Sequence, residues 1–364
     1  MKRYGWLLGC CLFLSIGMLW AADEPDLRML QQKAAQSRDM EGYVGVCKYL
    51  YQTEENPELL LLYADSIHQL ATKSKKPEQL VEYYIWASEG NFIKGDFQQG
   101  YALKRKAIAL AEKAGLKFAI SQSCCDMGYY CNVDARYDSA RYYFRKGLEA
   151  GEDLSEAGEA CRTMLTNYAS SFLFEGKTDS ALVYTIRASE RSAADKDTAM
   201  LIENLNQLGT IYRRKKNLEN CIANFEQALH LCELRGNHNA VAFIYGNIAT
   251  AYCDWNRPVD AIPFSEKAVE YALKTGNKRR IGTCYVNLGA IQIRLVQMRA
   301  EGIATLLKAI PILEEVNDRR LLCDAYNYLV NAYRMDGNLN QAMYYLQKLD
   351  KLAHEMQTDA ERFR

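Results

Sequence analysis

The sequence predicts an all-α solenoid of antiparallel helix pairs, and three observations carry that prediction. Small residues recur at a spacing of about 40 along most of the chain, the period of a repeat array rather than of separate domains. Aromatic residues, among them many of the 25 Tyr, stand at fixed offsets from those small residues. Only 6 of 364 residues are proline, which favours helices over turn-rich β architecture. The composition, 49% hydrophobic and 25% charged, is that of a folded chain and excludes wholesale disorder.

Residues 1–22 read as a secretory signal peptide. Lys2 and Arg3 precede an uncharged apolar stretch from Trp6 to Trp20, and Ala21-Ala22 end it. Two alternatives stay open: an uncleaved anchor, because the cleavage site is imperfect, and lipidation at Cys10 in Leu7-Leu8-Gly9-Cys10. Removing this segment takes away two of the 45 basic residues and no acidic one, and leaves ten cysteines in a compartment that permits disulfides. Residues 23–76 read as a degenerate N-terminal repeat or cap, with helices at about 26–36, 40–52 and 57–74 and Pro57 opening the third after Asn56.

Residues 77–357 read as about seven repeats, followed by a tail at 358–364. One small-residue series is Gly100, Ala140, Ala181, Cys221, Ala261, Gly302 and Ala342. A second is Ala107, Gly147, Ala188, Ala228, Ala268, Ala309 and Leu349. A third, on the first helix of each pair, is Ser88, Gly128, Ala169, Gly209, Ala249, Gly289 or Ala290, and Val330. Helices approach to about 8–10 Å, and small side chains permit the closest approach. Three residues after the third series comes an aromatic: Phe172, Tyr212, Tyr252 and Tyr333. Phe144, Phe225, Phe264 and Leu346 are the expected bulky fillers of the second helices. Gly176 and Gly337 mark turns within pairs, and Gly115, Gly236 and Gly276 mark helix stops between them. Pro263 and Pro311 fall inside second helices, where each is expected to bend the helix.

This pattern of small and aromatic residues resembles the tetratricopeptide repeat, in a form with extended helices. The resemblance implies a right-handed superhelix whose first helices line a concave groove that binds a peptide or a protein partner. Asn167, Asn247 and Asn287, with Gln207 between them, share one repeat position there, and Asn206, Asn327 and Asn331 lie on nearby turns. Their amides suit a ligand backbone or, equally, helix-to-helix packing. Tyr328 takes the position in the last repeat and interrupts the series. Arg213, Arg214, Arg294 and Arg334 lie late in first helices. Facing inward they form a positive strip for an acidic peptide; facing outward they only complement helix dipoles.

No P-loop, GxSxG, HExxH or GxGxxG motif is present, and the 4 His stand apart from any ligand spacing, so neither enzyme, metal nor cofactor is expected. Cys124 with Cys161 and Cys284 with Cys323 are candidate disulfides; the other cysteines read as core fillers. Equal numbers of basic and acidic residues argue against a nucleic-acid partner. The expectation is an exported, non-enzymatic scaffold, periplasmic or held at a bacterial envelope, that touches the membrane only through an uncleaved signal or a partner. The alternative is the sensory ectodomain of a membrane-associated regulator whose output domain is absent from this chain.

Overall fold

The computed structural model describes residues 27–53 and 56–362, so the leader at 1–22 lies outside the described residues. Among the described residues there are seventeen α-helices, two short 3-10 turns and no strand, as the all-α reading requires. The chain divides into two compact units, residues 1–195 and 196–364.

The first unit opens with α1 (Leu27–Ser37), α2 (Met40–Thr53) and α3 (Pro57–Ser74). Asn56 caps α3, its side chain accepting from the Leu59 N–H at 2.9 Å, with Pro57 in the first turn. Three pairs follow: α4 (Pro77–Lys94) with α5 (Phe97–Ala114), α6 (Lys117–Val133) with α7 (Tyr137–Gly151), and α8 (Gly158–Phe174) with α9 (Thr178–Ala194). The second unit holds four pairs: α10 (Thr198–Arg214) with α11 (Leu218–Leu234), α12 (His238–Asp254) with α13 (Pro258–Thr275), α14 (Lys278–Ile293) with α15 (Arg299–Glu315), and α16 (Arg319–Met335) with α17 (Leu339–Arg362). No Gly or Pro interrupts α17, so the helix runs through most of the stretch expected as a tail.

Most turns close on one left-handed residue at a constant repeat offset. Within pairs these are Gly95, Ala135, Gly176, Lys216, Asn256 and Gly337. Ala135, at φ 57°, holds a conformation that only glycine adopts without cost. In the sixth pair a 3-10 turn, Val296–Met298, replaces this device.

Packing inside each pair follows a volume rule. Where the first helix offers glycine, the second offers a large side chain: Gly128 meets Phe144, Gly209 meets Phe225 and Gly289 meets Leu306. Where the first helix offers alanine, at Ala169 and Ala249, the equivalent second-helix residues are the small Thr185 and Ser265, both buried. Two of the expected fillers therefore sit elsewhere. Phe264 stands one residue off this position and stacks on Tyr252, ring centroids 5.3 Å apart. Leu346 is 37% exposed, because no further helix covers that side of α17 among the described residues; Tyr345 turns inward instead and stacks on Tyr333 at 5.8 Å. Phe172 on Tyr184 is a third such stack, at 5.4 Å.

Pro263 and Pro311 lie inside α13 and α15, both exposed. Each leaves a carbonyl of the preceding turn without its helical donor. Pro263→Ala and Pro311→Ala should each stabilise the protein by about 1–3 kcal/mol, read as a raised thermal midpoint. An unchanged or lower midpoint would show that these prolines are built into the packing.

Neither candidate disulfide is present: all ten described cysteines are free thiols. Cys124 packs against Gly147 on α7, whereas Ser121 and Cys125, one turn apart on α6, are the residues that face Cys161. Cys323 Sγ lies 3.9 Å from Met356 Sδ rather than beside Cys284. Burial pushes the thiols of Cys47, Cys124 and Cys232 up to about 12, which leaves them protonated and poor nucleophiles.

Candidate functional site

Neighbouring first helices touch one another within each unit: α6 with α8 in the first, α12 with α14 and α14 with α16 in the second. Second helices make no comparable contact with each other among the described residues. Each unit therefore closes toward its first helices, and the face those helices share is the candidate binding surface.

In the second unit that face carries most of the residues singled out in the sequence. Asn247 Nδ2 donates to Asn206 Oδ1 at 2.7 Å, so these two amides bridge α10 and α12. Gln207 is half-buried, while Asn287 and Asn327 are exposed. Asn331 Nδ2 reaches Asn327 Oδ1 only at 3.5 Å along the same helix. Arg213 makes an ion pair with Asp254 of the next repeat at 3.5 Å. Burial and the neighbouring charge of Arg213 together lower the pKa of Arg214. Arg294 lies against the Cys253 thiol, and Arg334 is exposed. Of the four arginines, Arg213 pairs with Asp254, and Arg214, Arg294 and Arg334 are exposed.

Glu203, half-buried on α10, has its carboxyl pushed up to about 7 by burial and then by the charge of Asp197, the N-cap of the same helix. A folded-state value raised above the unfolded one contributes stability that is complete below about pH 4.3 and is lost as pH rises through 7. Because water reaches part of this side chain, the loss should be about 1–2 kcal/mol. Urea titrations at pH 5 and pH 8 check this: Glu203→Gln should flatten the difference, and an equal difference in the variant would refute the assignment.

In the first unit the asparagine position is occupied differently. Asn167 is 4% exposed, and its backbone carbonyl accepts from Asn132 Nδ2 at 3.0 Å, so this residue is buried between first helices. Asp126 and Trp86 precede it in the same repeat column, and the sequence reading missed both. It also missed the residue beneath them. Lys104 occupies the position held by Phe144 and Phe225 in later repeats, and it is 0% exposed. Its ammonium pairs with Glu89 and donates to Asp126 Oδ2 at 3.0 Å. Tyr130 donates to the second Glu89 oxygen at 2.6 Å, and Trp86 Nε1 donates to Glu82 at 2.9 Å. Burial opposes the Lys104 charge, but Asp126 and Glu89 outweigh it and hold the ammonium above its ordinary value. Burial raises the Glu89 carboxyl, with Lys104 pulling the other way. The signal in the sequence was a column of anchors with one lysine in it.

Among the described residues no three His, Cys, Asp or Glu side chains gather as a metal would need, and no helix is long and apolar enough to cross a membrane. The arrangement on the page is a set of amide, carboxylate and aromatic side chains suited to holding a ligand by hydrogen bonds and charge.

Comparison with known proteins agrees with this geometry. Residues 197–274 match the family model of the tetratricopeptide repeat. No curated protein matches the sequence. Among solved structures, the apo form of RapI superposes with a TM-score of 0.63 at 11% identity, covering 91% of each chain. The apo form of the quorum sensor NprR from B. thuringiensis gives 0.58 at 15% identity, covering 90% of this chain and 92% of that one. A signal-transduction ATPase with a tetratricopeptide repeat sensor, from Pyrococcus horikoshii, gives 0.56 at 15% identity, covering 94% of this chain and 54% of that one. At these identities the likeness is one of fold. The tetratricopeptide repeat model is thus matched across α10–α13, and the same small and aromatic anchors recur in the helix pairs on either side of that segment.

Proposed function

We propose that this protein is an exported, non-enzymatic scaffold that binds a peptide or protein partner on the shared face of its first helices. The observation that supports it best is the chemistry of that face: amides, carboxylates, arginines and tyrosines lie on consecutive first helices. Binding then needs no moving part beyond side chains, and specificity comes from which repeat column presents which group. In the second unit Arg294 and Arg334 favour an acidic segment, with Arg213 joining them only by exchanging Asp254 for the ligand.

The test is a triple variant, Arg213→Glu, Arg294→Glu and Arg334→Glu. Affinity capture from envelope extracts should lose the partners that the wild-type protein retains. Full retention would remove the arginines from the binding surface.

A second reading, a sensory ectodomain, draws on the quorum sensor and the repeat sensor whose folds resemble this one. Intact mass of the protein from its source cell separates the two readings. A longer polypeptide with a membrane span would favour the sensor, and a polypeptide ending at Arg364 would favour the scaffold.

A further inference from the structure

We propose that the first-helix face of the first unit seats the arginine side chain of an extended peptide, with the guanidinium on Asp126 and between the rings of Tyr51 and Tyr129. The inference rests on the peptide-binding reading above and specifies the ligand of one part of that face.

The starting point is a violated rule. The second-helix position that packs against the small residue of the first helix is Phe144, Thr185, Phe225, Ser265 and Leu306 in successive repeats, all buried, and in the first repeat it is Lys104. A lysine in that place adds no packing advantage over an apolar residue and carries a desolvation cost of several kcal/mol unless it is paired. Departures of this kind concentrate at functional sites.

The pairing itself is unbalanced. Glu89 and Asp126 share one ammonium, so the buried network carries an excess negative charge. Glu89 is fully used: one oxygen takes Lys104 and the other takes Tyr130. Asp126 is not. Its Oδ2 accepts from Lys104, its Oδ1 has no donor among the described residues, and the side chain is 24% exposed. Glu82, one repeat earlier on the same face, adds a further carboxylate, bonded to Trp86 on one oxygen. The other local cation is Lys48 on α2, exposed to solvent and acting on Glu82.

Two tyrosines stand near this carboxylate in the fold: Tyr129 is one turn from Asp126 on α6, and Tyr51 lies against Trp86, which precedes Asp126 in the same repeat column. Tyr51 on α2 is a large, exposed side chain whose ring lies 6.3 Å from that of Trp86, edge to face. Tyr129 lies beside Tyr130, 5.5 Å between centroids. The charge of Glu89, then burial and the charge of Asp126, raise the Tyr51 hydroxyl. A guanidinium fits this environment better than a divalent ion does. Lys104 already occupies the centre of the carboxylates and repels a second compact charge, whereas a planar, weakly hydrated cation can donate to Asp126 Oδ1 and stack on tyrosine.

The test uses the full-length protein and a positional-scanning library of fluorescein-labelled octapeptides, read by anisotropy. Arginine should be enriched at one position. Replacing that arginine by neutral citrulline in the best binder should weaken binding at least about tenfold. Asp126→Asn should cause a loss of similar size, and Tyr51→Leu, a surface change that spares the core, a loss of about threefold to tenfold. Best binders without a basic residue, or a citrulline effect under about twofold, would overturn the arginine site and leave the groove reading standing. No binding by any library member would overturn both.

Discussion

Replacing Lys104 with methionine should destabilise the protein by about 3–5 kcal/mol, the cost of stranding a buried charge rather than of losing a contact. The side chain is wholly buried, and its removal leaves Glu89, 2% exposed, with only the Tyr130 hydroxyl as a donor. The remedy open to the variant is to protonate Glu89. Its folded-state pKa, already raised by burial against the pull of Lys104, rises further when that pull is gone. A raised value contributes stability below the unfolded pKa and loses it as pH increases, so the variant should be least impaired near pH 4–5 and most impaired near pH 8. Urea midpoints at both pH values check this. The double variant Lys104→Met with Glu89→Gln should recover most of the loss and the pH dependence together. A single variant whose deficit is the same at both pH values would mean that the network is not buried as described.

The second large effect concerns the volume rule. A Cβ added at Gly209 would lie 2.5 Å from Phe225 Cε1, and the ring is completely buried and has no direction in which to retreat. Gly209→Ala should therefore cost about 2–3 kcal/mol, although alanine is the better helix former by about 1 kcal/mol. The native pair Ala249 with Ser265 shows the permitted alternative. Adding Phe225→Ser to Gly209→Ala should give a double variant more stable than the sum of the two single losses predicts, a coupling readable in a double-mutant cycle. Strict additivity would show that the two positions do not share a volume.

The fold was legible because its determinants are local and repeated. Gly209, Ala249 and Ala169 each lie at the same distance from an aromatic and from a turn, so one unit read correctly extends to the rest. The site was legible only in part. Asn167, Asn206 and Asn247 drew notice because amides at one repeat position invite a ligand, but the structure buries Asn167 and pairs the Asn206 and Asn247 amides with each other. Asp126 and Trp86 occupy the same column and were passed over because neither is an amide. Lys104 stands in a run, Lys104-Arg105-Lys106, that reads as a solvated face. Only alignment of the repeats on their second-helix anchors places it in the core. The filler rule failed at Phe264 for a related reason: aromatic character was read where the structure selects on combined size.

The contact between neighbouring first helices, without a counterpart between second helices, gives each unit an uneven stiffness. Among the described residues, second helices are joined to one another only through the first helix of the next repeat, while a bend that parts the first helices pulls on side chains such as Asn206 and Asn247 that join them directly. Direct links between first helices, such as Asn206 with Asn247, therefore resist separation along the binding face. Where such a link is present, a change of curvature leaves the groups beside it at a fixed spacing.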